Sequence, residues 1–543
     1  MAVVSEASRG LRRSIGFWGL LFISLGSIIG SGWLLGALEA ATTAGPASLI
    51  SWGMAAIMLI VLALIHAELG TSYPAAGGTA RYPYFAFGNL TGFAAGWTAW
   101  LQAVTLAPIE VEASLTYLQS TQFAKDHLTM LHPDKTLTVT GIIVAGLGIL
   151  LFTVINLLGA KLLSDSNSVT VVWKFAIPLL TIVVLMSLSF HPGNFHAGGF
   201  APFGGHGIFA ALPVGVVFAL QGFEQAVQFG GEARNPQRDI SRAVIVAMLL
   251  GAAMYILLEI CFIGALNPAN LVHGWDNPIG KGNYGPYHDL ALAAGAGWLA
   301  ALLVIDAVIS PAGTGLVYLG TSARLSYALG QEDEMPAALT AVNRRGVPWL
   351  SILLATVVGL FLFLPFPSWQ SLVKIVTSAT AIMYAFGPVS LAALRRADPE
   401  RERPYRMPYP SVLLPLGFGF ANLIIYCCGF ETVWKLDVAI LFGLLIFGIG
   451  AAAKGTLSRL QLHGFAWVLP WLAGLTVISV LGRYGAGSQK VLPDWIDALV
   501  ALAYGVLVFF WTQRFQQTPE EIDRALRHER RREREMAELS VSG

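Results

Sequence analysis

Charge is what this sequence has least of. Lys, Arg, Asp and Glu make up 12% of its 543 residues, hydrophobic residues 55%, and the mean hydropathy is +0.65. A soluble globular chain carries about 25% charged residues, so the balance excludes a soluble enzyme or binding module and points to a polytopic membrane protein. Cysteine is scarce too. Cys261, Cys427 and Cys428 all fall in apolar stretches, which excludes a disulfide framework and the spacing of a zinc site. A net charge of +1 offers no basic surface, so no nucleic-acid partner is expected. The sequence has no Walker loop, dinucleotide fingerprint or catalytic triad pattern. Primary pumping is therefore unsupported, and no cofactor, metal site or catalytic residue is expected.

Long apolar runs are what the chain does have. About fourteen runs of roughly 20 residues, enough to cross a bilayer as a helix, begin near Phe17, Ala47, Leu90, Thr140, Val169, Gly207, Ala243, Trp298, Leu350, Ser371, Val412, Val438, Trp467 and Ile496. The first is about 25 residues long and lacks a small-residue cleavage site, so it reads as a retained helix and not a signal peptide. Basic residues set the orientation. With Arg9, Arg12 and Arg13 inside, loops on that side hold fifteen further Lys and Arg, and the opposite loops hold six. A multi-pass protein of the cytoplasmic membrane with both termini in the cytoplasm is expected.

The first run contains Gly26-Ser27-Ile28-Ile29-Gly30-Ser31-Gly32. Glycine in a helix interior costs roughly 1 kcal/mol relative to alanine, and three in seven residues invite unwinding. Free backbone groups at membrane depth are tolerated only where they line a cavity or meet a ligand. A close helix contact through Gly26 and Gly30 is the plainer reading. A transporter built from inverted repeats predicts a partner break five spans later. Span six supplies it in Phe218-Ala219-Leu220-Gln221-Gly222-Phe223-Glu224. Half-helix N-termini favour an anion and half-helix C-termini a cation, so the pair suits a ligand with both charges close together, such as an α-amino acid.

Five segments carry a resemblance to a known family. They are GSIIGSGW in span one, AELGTSYPAAGGTARY from Ala67 to Tyr82, GFEQAVQFGGEARNPQRDISRA from Gly222 to Ala243, SARLSYALGQEDEMP from Ser322 to Pro336, and RPYRMPYP from Arg403 to Pro410. In this order they resemble the signature segments of the amino acid-polyamine-organocation (APC) superfamily of permeases. The resemblance implies an all-α polytopic membrane protein with a 5+5 inverted-repeat (LeuT-like) core and discontinuous helices 1 and 6. The divisions are a cytoplasmic N-terminus over 1–14, a first repeat over 15–190, a second over 207–396, four more spans over 397–511, and a charged cytoplasmic tail over 512–543.

It also implies roles for residues. The substrate carboxylate meets the amides of Ser31 and Gly32, with Gly30 giving room, and the ammonium meets carbonyls of Ile28, Phe218 and Gln221 beside Gly222. Phe218 stands where relatives place an occluding aromatic, and Glu224 where some place a carboxylate gate. Lys174, a charge in an apolar helix, resembles the lysine that replaces a sodium ion in proton-coupled relatives. Its two charge states would bind span one differently.

Glu110 and Glu112 in span three point about 200° apart and cannot share one proton. Glu110 lies on roughly the face of Gln102 and is taken as the side-chain reader or proton site. The APIEVEA stretch is similar to bacterial aspartate-proton symporters, which favours acidic amino acids. Asp306 is a second candidate proton carrier. Glu259 and Lys374 are expected to pair with polar neighbours or lie near an interface, and His66 and Glu68 to form a cytoplasmic cap. The tail from Thr518 carries a capping box closed by Glu521 and reads as a solvated helix. The expected function is secondary transport, by proton-coupled amino acid symport, with an amino acid or amine exchanger as alternative. A membrane enzyme and a non-transporting amino acid sensor are more remote. The partners are a small amino acid, protons and the lipid bilayer; oligomeric state is open.

Overall fold

The computed structural model describes residues 15–75, 77–158, 160–280, 284–331, 334–343, 347–493 and 495–527, without the side chains of 160–169. Residues 1–14 with their three arginines, the Lys161 side chain, Lys281, Arg344, Arg345 and the tail beyond Arg527 lie outside the described residues. Among the described residues the chain is all-helical, and its extended pairings are two isolated bridges, Ile15 with Ala233 and Leu131 with Leu137. Nine segments among them are long and apolar enough to cross a membrane, and Phe17–Ile28, Gly204–Ala219, Trp349–Leu362 and Ile496–Thr512 are shorter apolar helices.

The outer helices are apolar on the outside. On Val139–Leu158, Val139, Ile143, Leu147, Leu151, Val154 and Leu158 are exposed at intervals of three and four residues. A face of that kind is paid for only in lipid. By contrast Trp369–Ala397 is buried along most of its length. The chain thus separates a lipid-facing rim from a buried centre.

The centre is built from α1 (Phe17–Ile28), α2 (Gly32–Ala44), α3 (Ser48–Ser72), α4 (Asn89–Leu118), α5 (Ala160–Leu188), α6 (Pro236–Ala265), α7 (Gly297–Gln331) and α8 (Trp369–Ala397). Three helix starts differ from the sequence reading: α5 begins at Ala160 and not near Val169. α6 begins at Pro236 and not near Ala243, because Pro fits the first helical position and the polar turn after it needs no lipid. The helix Phe430–Ala453 begins before Val438, its first turns supported by the Lys435 to Glu431 ion pair.

Both expected breaks are present. α1 ends where Ile29 leaves helical geometry at φ −93°, ψ 85°. The second interrupted segment, 204–232, runs through Gly204–Ala210, Leu212–Val216 and Val217–Ala219, unwinds, and resumes at Gln225–Gln228. Its irregularity begins earlier than expected, at Gly215 (φ 150°, ψ −30°), close after Pro213. Glycine lets the two breaks touch. A Cβ at Gly32 would lie 2.8 Å from Ala219 Cα, and one at Gly222, where φ is +122°, 2.8 Å from the Ile28 nitrogen.

Candidate functional site

A small cavity lies between the two breaks, lined by Ser27, Ile28, Gly30, Gly32, Leu106, Glu110, Phe218, Gln221 and Tyr318. Six of the residues expected to bind substrate are among them; Ser31 and Gly222 adjoin it. Glu110 faces the cavity and Glu112 does not line it. Both Glu112 oxygens are buried and without a hydrogen-bond partner.

Three of the five backbone groups expected to meet a substrate already have partners. The Ser31 amide donates to Glu110 Oε2 at 2.9 Å, and the Tyr255 hydroxyl donates to the Ile28 carbonyl at 2.8 Å. The Phe218 carbonyl accepts from the Gln221 amide at 3.2 Å. Gly30 gives room, but to Glu110, since a Cβ there would lie 2.8 Å from Glu110 Oε1 and 3.0 Å from Thr314 Oγ1. Gln221 accepts from Thr380 through Oε1, while its buried Nε2 has no partner among the described residues.

Lys174 is buried 2% exposed, and its ammonium bridges two helices. Nζ donates to the Gly26 carbonyl of α1 at 2.9 Å and to Thr314 Oγ1 of α7 at 2.6 Å. The Gly26 carbonyl is one of the last-turn acceptors left over where α1 breaks, so the break itself creates the acceptor. Asp306 lies farther along α7. It accepts from Trp173 Nε1 at 2.7 Å, Ser310 Oγ at 2.7 Å and Trp33 Nε1 at 3.1 Å, so it is a satisfied buried carboxylate.

Glu224 folds back over its own break. It accepts from the Gly222 amide at 2.9 Å and from the Tyr384 hydroxyl at 2.5 Å, with Gln102 and Tyr318 at 3.5 Å. His66 and Glu68, expected to form a cytoplasmic cap, are both buried. The His66 ring is buried and meets Phe223 and Tyr384 edge-on, at centroid distances of 5.8 and 5.5 Å. The fully buried Glu68 carboxylate accepts from Arg395 Nε and Nη2 at 2.8 and 2.5 Å and from the Met407 amide at 2.8 Å, with Arg403 at 3.6 Å. Burial follows from that pairing, which satisfies both oxygens. Glu259, too, is paired, with Ser48 and Trp52.

The face where α1 begins is closed by this cluster and by backbone bonds. The Ile15 amide donates to the Glu232 carbonyl at 3.1 Å, and the Arg234 amide to the Ile15 carbonyl at 2.7 Å. Just beyond α3, burial raises the Tyr73 phenol above its ordinary range, as does the charge of Asp398; it stays protonated and donates to Asp398 Oδ2 at 3.1 Å. The tail joins this face as well. Its capping box forms between Thr518 and Glu521, but Ile522 and Leu526 are buried rather than solvated.

The opposite face is closed by rings. Phe218 meets Trp369 edge-on at 5.7 Å, and Trp369 Nε1 donates to Ser31 Oγ at 3.2 Å. Above them Glu39 accepts from Lys135 at 2.8 Å and from Gln370 at 2.9 Å. Thr314, Tyr255, Trp369 and Tyr384 were not singled out by sequence. Each is an ordinary residue in its helix, and only the charge it touches marks it.

Comparison with known proteins shows the family. Residues 15–452 match the family model described as "Amino acid permease". The chain is 35% identical over 508 residues to the glutamate/serine transporter AimA of Bacillus subtilis (strain 168), covering 92% of this chain and 93% of that one. It is 31% identical over 507 residues to the aspartate-proton symporter of the same organism, covering 92% and 96%. A branched-chain amino acid permease, BcaP, also of that organism, is 25% identical over 482 residues, covering 84% and 97%. The chain belongs to the amino acid permease family of the APC superfamily: it is a multi-pass membrane transporter of amino acids and not an enzyme.

Proposed function

We propose that this permease is a secondary active transporter that carries acidic amino acids together with protons, by alternating access around the two broken helices. In this reading 15–190 and 207–396 are inverted repeats of five spans, 397–511 adds four for fourteen in all, and both termini lie in the cytoplasm. Ser31, Gly32 and the carbonyls of Ile28, Phe218 and Gln221 bind the part common to all amino acids. Gly30 and Gly222 give the backbone room, Glu110 reads the side chain or takes a proton, Phe218 and Glu224 gate, and Asp306 is a second proton site. The names of two relatives, a glutamate/serine transporter and an aspartate-proton symporter, favour an acidic substrate and symport.

The observation that carries the reading is the position of Lys174, whose ammonium ties α1 to α7 at the Gly26 carbonyl. A charged amine holds both partners; a neutral one has fewer donors and no charge to offer the carbonyl. Loss and gain of that proton would release and restore α1, which ties proton movement to opening. The test is uptake of L-aspartate into proteoliposomes with an empty lumen under an imposed proton gradient. Wild type should accumulate it and Lys174→Ala should not. Uptake that requires a preloaded amino acid would replace symport with exchange.

A further inference from the structure

We propose that Glu110 is the resident occupant of the carboxylate cradle, and that an amino acid binds by displacing it from the Ser31 amide. This rests on the amino acid reading above and says how that site is filled when empty. The amide assigned to a substrate carboxylate holds the Glu110 carboxylate, 79 residues away in sequence. The carbonyl assigned to the ammonium holds the Tyr255 hydroxyl. The protein thus reproduces both ends of a zwitterion with two side chains from α4 and α6.

Space makes this a competition. Glu110 Oε1 sits where a Gly30 Cβ would be only 2.8 Å away, so it is pressed against the broken backbone. Two carboxylates cannot share one amide in a site closed to water, because like charges there repel strongly. A displaced Glu110 therefore needs a positive partner or a proton. The substrate ammonium can be the first, which makes an amine obligatory in the ligand while Glu110 stays ionised, and acid supplies the second. A donor is already waiting in the cavity wall: Gln221 Nε2, buried and unpartnered.

The ionisable groups facing Glu110 are few. Lys174 of α5 attracts it, and Tyr255 of α6 and Tyr318 of α7 share its surroundings. On α8 Tyr384 is committed to Glu224, and farther along α7 Asp306 is committed to Trp173, Ser310 and Trp33. Helices Val139–Leu158 and Trp349–Leu362, also packed on α4, contain no ionisable residue.

The test uses purified full-length protein and titrations with L-serine, L-aspartate and L-glutamate at pH 7.5 and 5.5. L-Serine matters most because its side chain does not ionise. Wild type should bind it about tenfold more tightly at the lower pH. Glu110→Gln should bind at pH 7.5 about as tightly as wild type at pH 5.5, with no pH dependence, and should accept succinate at pH 7.5, where wild type refuses it for want of an amine. Glu110→Ala, which also carries no ionisable group, should behave likewise if the glutamine variant does not fold. Weaker binding by Glu110→Gln at both pH values, or an unchanged pH dependence, overturns the displacement and leaves amino acid transport standing. If none of the three amino acids binds wild type, the acidic-substrate reading fails, and this inference with it.

Discussion

On the face where α1 begins, the cavity is closed by Glu68 with two arginines, by the Tyr73 to Asp398 bond and by two backbone bonds at Ile15. On the face where α8 begins it is closed by Phe218 against Trp369, one indole bond to Ser31, and the Glu39 to Lys135 pair farther out. The two closures differ in how they fail. Buried charges separate only if water reaches each of them, so that face opens all at once. Rings slide over one another at the loss of about 1 kcal/mol for the indole bond, so the other face opens by degrees. In an alternating mechanism the aromatic face is then the easier to open when the site is empty.

The largest effect is expected from Glu68→Gln, which leaves Arg395 and Arg403 facing each other without a counter-charge. Stability should fall by about 3 kcal/mol, less than for a wholly buried pair because Arg395 is partly exposed. Chemical denaturation measures this, and a loss below about 1 kcal/mol would remove the contrast between the faces. Gly222→Ala comes next. Positive φ and a contact of 2.8 Å with Ile28 should cost about 2 kcal/mol and abolish stabilisation by amino acids in a thermal-shift assay. Undiminished stabilisation would show that the two breaks need not touch.

Trp369→Phe keeps a ring over Phe218 and removes the donor to Ser31. About 1 kcal/mol is expected, read as roughly fivefold faster amino acid release from the aromatic face. If release is unchanged, the ring alone is the lid. Lys435→Ala is the smallest. Its ion pair with Glu431 is partly exposed and takes no part in either closure's hydrogen bonds, so about 0.3 kcal/mol and unaltered uptake are expected. A transport defect there would extend the working region beyond the centre.

The sequence made the breaks legible because glycines and polar residues stand out in apolar runs, and Lys174 and Glu110 for the same reason. What it hid were partners. Thr314 and Tyr255 look like common helix residues until Lys174 and Ile28 are placed beside them, and Trp369 is one of 15 tryptophans in the chain. The partners of Glu68 were hidden because its arginines lie more than 320 residues away, and the burial of Ile522 and Leu526 because the charges around them dominate the tail. The early irregularity at Gly215 was masked by the stronger polar signal that follows at Gln221.

The break at Ile29 makes α1 a lever. Its 12 residues form an arm of roughly 18 Å, fixed at one end by Lys174 and latched at the other by Ile15. A swing of about 10° at the fulcrum carries the far end by about 3 Å, well beyond the reach of either Ile15 bond. Small displacements near the bound amino acid are thus geared up into a latch that is either engaged or sprung.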